Sequence, residues 1–151
     1  MNMYAHTHTD AFKLFMSYTK PSAPVGVMHV CGSVTTWIGN NPGFCVYEVD
    51  AETLLPLKRT TYAFNMDTAN TKGNITWTAY TNFIKDYSLP DLSPTSFLNL
   101  AIKTKSQAKV AGLVQTKKTR SFTSSTCNTA RCMLEVYCNA VNIDPIEHSD
   151  C

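Results

Sequence analysis

Four cysteines within the last 25 residues, Cys127, Cys132, Cys138 and Cys151, constrain this chain more than any other feature. In 151 residues such a cluster is either a disulfide staple from an oxidising compartment or a zinc site from a reducing one. The spacing lacks the paired Cys-x2-Cys knuckles of zinc ribbons, which favours disulfides. An N-glycosylation sequon at Asn74 agrees with export. The opening residues MNMYAHTHTDAF nevertheless carry neither a basic n-region nor an apolar h-region. No stretch is long enough to span a bilayer. A secreted-type tail without a leader suggests the C-terminal piece of a longer protein.

The remaining two cysteines, Cys31 and Cys45, fall on neighbouring predicted strands. Their pairing is left open, with free buried thiols favoured. A net charge near +2 points to no nucleic-acid partner. The distribution is uneven, because no acid lies between Asp91 and Glu135 while Lys103, Lys105, Lys109, Lys117, Lys118, Arg120 and Arg131 all do. Segment 103–120 reads first as a solvated basic helix face, and second as a contact for phosphates or a membrane surface.

Strands are predicted at 10–17, 25–32, 44–50 and 58–64, from β-branched and alternating residues. Asn40 to Gly43 is a turn. Trp77, Tyr80, Phe83, Ile84 and Tyr87 fall at helical spacing. A second helix opens at Ser93-Pro94, with a break or kink at Gly112, and a third covers 125–141 with Met133, Val136, Tyr137 and Val141 inward. Strands first and helices second is an α+β ordering, divided as 1–68 and 69–151. His29, inside an apolar strand, reads as a satisfied core histidine. His148 reads as exposed.

His6 and His8 are candidate metal ligands. On a strand, residues i and i+2 share a face, and at a sharp turn they can serve two metals. Imidazole suits zinc and related ions. Taken with their surroundings, the residues "AHTHTDAF" resemble the last metal motif, G-H-x-H, of calcineurin-like metallophosphoesterases, in the form found in acid sphingomyelinase-like phosphodiesterases. "SVTTWIGNNPGFCVYEVD", 33–50, is similar to a second segment of that family, and the spacing of Cys132, Cys138 and Cys151 to its closing cysteines. Together these matches run from residue 4 to 151.

The resemblance implies closing strands of a metallophosphoesterase sandwich followed by a helical, disulfide-closed C-terminal subdomain. It implies metal-dependent hydrolysis of a phosphodiester or sphingolipid at a two-zinc centre, in a secreted or lysosomal protein. His6 and His8 would each serve one metal, Asp10 would orient an imidazole from behind, and Trp37 would contact substrate. Asp10 could instead be a solvent-facing acid or strand cap, and Trp37 an ordinary buried tryptophan. The other motifs, Asp-x-His, Gly-Asp-x-x-Asp and Asn-His, are absent from the sequence. The missing ligands are expected in an upstream metallophosphoesterase core, and the chain alone is expected to be inactive. The tail pairs implied are Cys127–Cys132 and Cys138–Cys151. Four departures stand out: Ala5 where the family has glycine, Ala11 for a glutamate, Cys45 for an arginine, and four residues between Cys127 and Cys132, one more than expected. The rivals are a non-catalytic, disulfide-stapled secreted binding module, and a structural zinc domain using the tail cysteines and His148.

Overall fold

A computed structural model describes residues 2–143. The first sheet contains β1 (Asn2–Tyr4), β3 (Pro24–Val30) and β2 (Ala11–Met16) in that order. β1 runs parallel to β3, and β2 antiparallel to it. Period-two alternation puts Phe12, Leu14, Val27 and His29 on one face, with Phe12 opposite His29 and Leu14 opposite Val27.

The second sheet is the antiparallel meander β4 (Gly43–Val49), β5 (Pro56–Ala63) and β6 (Thr78–Asn82). Between β5 and β6 lies α1 (Met66–Lys72), capped by the Asn65 side chain and ended by Gly73 at φ 66°. Two small sheets with helices make an α+β architecture. Strands and helices are not cleanly separated, and the second sheet draws on both sides of residue 68.

The helix expected around Trp77–Tyr87 is corrected. Residues 78–82 form β6, and only α2 (Phe83–Tyr87) is helical. The β-branched Thr78 and Thr81 pair with β5, and Asn82 caps the helix late by accepting from the Lys85 amide. Ser93 and Pro94 open α3 (Pro94–Thr104) as expected, with the Ser93 hydroxyl accepting from the Ser96 amide. The break then falls at residues 105–107, before α4 (Ala108–Lys118), and not at Gly112. Gly112 lies inside α4 because segment 125–127 crosses it; a Cβ there would sit 2.8 Å from the Ser125 carbonyl oxygen. The last helix, α5 (Ala130–Val141), starts later than expected, capped by Thr129.

The main core joins the inner face of the first sheet to the helices. Phe12, Leu14 and Val27 pack with Phe83, Tyr87, Leu92, Phe97, Leu100 and Ala140. A smaller cluster places Ala111 and Val136 around Cys127, which is bonded to Cys132. Cys31 and Cys45 are also joined, their Cα atoms 6.0 Å apart, which corrects the expectation of free thiols. The end of β3 and the start of β4 approach closely enough to bridge, a proximity set by how the two sheets meet. With Cys127 and Cys132 bonded to each other, at most three of the five residues expected for a tail zinc site are left, one short of a four-ligand structural site. Cys138 is buried, while its expected partner Cys151, like His148, lies outside the described residues.

Candidate metal-binding loop

β1 stops at Tyr4 because the next residues leave the extended region. His6 has φ 82° and His8 φ 55°. Left-handed backbone is uncommon for residues with a Cβ and persists where the surroundings enforce it. The two histidines therefore lie on a tight loop and not on a strand face. Ala5 is not among the positive-φ residues, so replacing glycine there costs no backbone strain. His6 is exposed and His8 half-buried. The His8 Nδ1 is buried without a hydrogen-bond partner.

The loop is tied at both ends and in the middle. Before it, the Cys31 amide donates to the Tyr4 carbonyl at 3.1 Å. After it, the Asp10 amide donates to the Lys118 carbonyl at 2.8 Å. Between them the His8 carbonyl accepts from Asn40 Nδ2 at 3.1 Å and from Arg120 Nη2 at 3.0 Å. Asn40 ends a 3-10 turn, Trp37–Gly39, and its amide donates to the Trp37 carbonyl. Trp37 is thus tied to the histidine loop through Asn40, and it is 65% exposed, not a core residue. Asn41 does more than form a turn: its Nδ2 donates to the Arg120 carbonyl at 2.9 Å, and its Oδ1 accepts from the Met66 amide at 2.8 Å.

Asp10 is neither solvent-facing nor bonded to an imidazole. It is 3% exposed, pairs with Arg59 and accepts from the Thr61 hydroxyl. Arg59 also donates to the carbonyls of Val30 at 2.6 Å and Ala11 at 3.1 Å, and lies over Phe83 with Cζ 4.0 Å from the ring centroid. Cys45 is spent on its disulfide, and Arg59 reaches over from the neighbouring strand to 3.8 Å from its sulfur. His29 is a core residue, edge-on to Phe97 and Tyr47, but it is not satisfied. Its Nδ1 has no partner, and burial pulls its pKa down to about 3, so the ring is neutral. The Tyr47 hydroxyl is likewise unpartnered, its pKa raised by burial.

Sequence reading missed Arg59 and Arg120, because a cation reads by default as surface. The segment 103–120 is not one basic face. Lys103, Lys105 and Lys109 are exposed, but Lys117 pairs with Asp86 at 3.1 Å and donates to the Tyr80 carbonyl, and Arg120 is fully buried. Asn74 is exposed in the link between α1 and β6.

The two imidazoles fit part of a zinc site and not a whole one. Among the described residues no group of three or more His, Cys, Asp or Glu side chains comes together. What is present is a clamped loop carrying two histidines, one with a buried nitrogen that makes no hydrogen bond among the described residues.

Residues 23–151 match the acid sphingomyelin phosphodiesterase C-terminal region, and the chain belongs to that family. Sphingomyelin phosphodiesterase B of Dictyostelium discoideum is 26% identical over 162 residues, covering 99% of this chain and 25% of that protein. Human sphingomyelin phosphodiesterase is 34% identical over 105 residues, covering 66% of this chain and 17% of the relative. Cyclic GMP-AMP phosphodiesterase SMPDL3A of Bos taurus is 28% identical over 155 residues, covering 98% of this chain and 34% of the relative. This chain therefore spans from 17% to 34% of the length of these relatives.

Proposed function

We propose that this chain is the C-terminal part of a zinc-dependent phosphodiester hydrolase, giving His6 and His8 to a metal centre whose other ligands come from a metallophosphoesterase core outside these residues. The observation that carries this reading is the clamped left-handed loop, in which His8 keeps a buried Nδ1 free of any partner. Backbone strain of this kind is retained where function uses it. Bound zinc would supply Lewis acidity and an activated water. Arg120 and Asn40 hold the backbone of the loop that carries the imidazoles, and the exposed indole of Trp37 would be free to meet the substrate. Sphingomyelin and cyclic GMP-AMP, named for two of the relatives, share a phosphodiester, and that is the substrate class proposed.

The strands of residues 1–68 would be the closing part of the family's sandwich, residues 69–151 a largely helical subdomain that returns β6 to the second sheet, and Asn74 a glycan site in a secreted or lysosomal protein. With only two ligands, the 151 residues alone do not turn over substrate. Zinc titration of the intact chain tests the ligand count. Weak binding lost in both His6→Ala and His8→Ala is expected. Tight binding that survives either substitution contradicts the reading.

A further inference from the structure

We propose that Arg120 is the positioning residue of the histidine loop: its guanidinium holds the His8 carbonyl and thereby fixes the loop backbone from which the His8 imidazole projects. The purpose of this clamp rests on the metal-ligand reading above; its geometry does not.

Arg120 occupies a costly place. It follows α4 with φ 53°, a position that favours glycine or asparagine, and it is fully buried. No carboxylate lies within ion-pair distance of it among the described residues. Its donors go to backbone oxygens: Nε to the Asn41 carbonyl, and Nη2 to the His8 carbonyl at 3.0 Å. Nη1 is buried with no partner. An apolar side chain of similar size would avoid this desolvation, so packing alone does not account for an arginine.

The surroundings are cut to fit it. A Cβ on Gly32 would lie 1.8 Å from Arg120 Nη1, and one on Gly43 would lie 2.4 Å from Arg120 Cδ. Neither glycine has positive φ; at Gly32 the guanidinium alone leaves no room for a Cβ, and at Gly43 the arginine does so together with the Tyr62 carbonyl oxygen at 3.0 Å. A histidine ligand is ordinarily oriented by a hydrogen bond from its other ring nitrogen to a carboxylate or carbonyl. Neither ring nitrogen of His8 makes such a bond among the described residues, and Asp10, two residues on, is spent on Arg59 and Thr61. The orientation has to come through the backbone. Arg120 and Asn40 together occupy both lone pairs of the His8 carbonyl, which stops the following peptide plane from turning.

The test compares the intact chain with Arg120→Met, Arg120→Lys, Gly32→Ala and the exposed control Lys103→Ala. The readouts are amide heteronuclear NOEs of residues 6–9 and zinc affinity by competition. In Arg120→Met and Gly32→Ala the loop NOEs should fall while the amides of α3 and α5 keep theirs, and zinc affinity should drop by roughly tenfold. Arg120→Lys, which keeps the charge and loses the fork, should behave like Arg120→Met, and Lys103→Ala like the parent. A folded Arg120→Met or Arg120→Lys protein with unchanged loop NOEs and zinc affinity overturns the proposal. If neither folds, hydrogen exchange of the Arg120 guanidinium in the parent protein decides: protection supports the clamp and rapid exchange overturns it. A loop that loosens in a chain binding no zinc at all leaves the clamp standing and removes the metal reading.

Discussion

Arg59 of β5 and Asp10 at the start of β2 form an ion pair whose side chains are 0% and 1% exposed, so one guanidinium ties the second sheet to the first. Removing one partner of such a pair strands the other charge. Asp10→Ala should therefore cost about 3–5 kcal/mol in urea unfolding. The double variant Asp10→Leu/Arg59→Met should cost less than that single change. A double variant as unstable as the sum of its singles would show that the pair is not coupled.

The bridge from Cys31 to Cys45 spans 14 residues and that from Cys127 to Cys132 spans 5. Chain entropy assigns them about 3 and about 2 kcal/mol respectively. Replacing each pair by alanines should therefore destabilise more at the first bridge. Peptide mapping of the denatured, unreduced chain should find no thiol at these four positions, and a free thiol at Cys31 or Cys45 would refute the inter-sheet bridge.

His29 gives the fold a built-in acid sensitivity. Its folded pKa of about 3 lies below the ordinary value of about 6.5, so the unfolded chain takes up a proton first as pH falls. The stability it supports is fully present above about pH 6.5. It is lost at up to about 1.4 kcal/mol per unit as pH drops from there towards 3. Replacing the ring by phenylalanine, which suits the edge contacts with Phe97 and Tyr47, should flatten the change in urea midpoint between pH 7 and pH 5. Equal slopes in His29→Phe and the parent would assign the acid sensitivity elsewhere.

Four of the strands were legible because their signals are local. Alternation and β-branching mark β2 to β5, and Ser93-Pro94 marks the start of α3. β6 was not legible, since Trp77, Tyr80, Phe83 and Tyr87 match a helical period and only pairing with β5 decides against it. The histidine pair was visible, but its left-handed backbone was not, because that conformation is imposed by Arg120 and Asn40 from distant parts of the chain. The two organising arginines were hidden for the same reason. Nothing near Arg59 or Arg120 in sequence announces the carbonyls and the carboxylate that receive them in the fold. Cys31 and Cys45 depend likewise on how two sheets meet.

The central claim is that these residues supply one part of a phosphodiesterase centre. The most direct measurement is hydrolysis of a chromogenic phosphodiester in zinc, by the chain alone and by the chain joined to a metallophosphoesterase core. The account predicts no turnover above the metal blank for the chain alone. It predicts restored activity for the joined protein, abolished by His6→Ala and by His8→Ala. Zinc-dependent, His8-sensitive hydrolysis by the 151 residues alone would contradict the incomplete centre, and restored activity indifferent to both substitutions would contradict the ligand assignment.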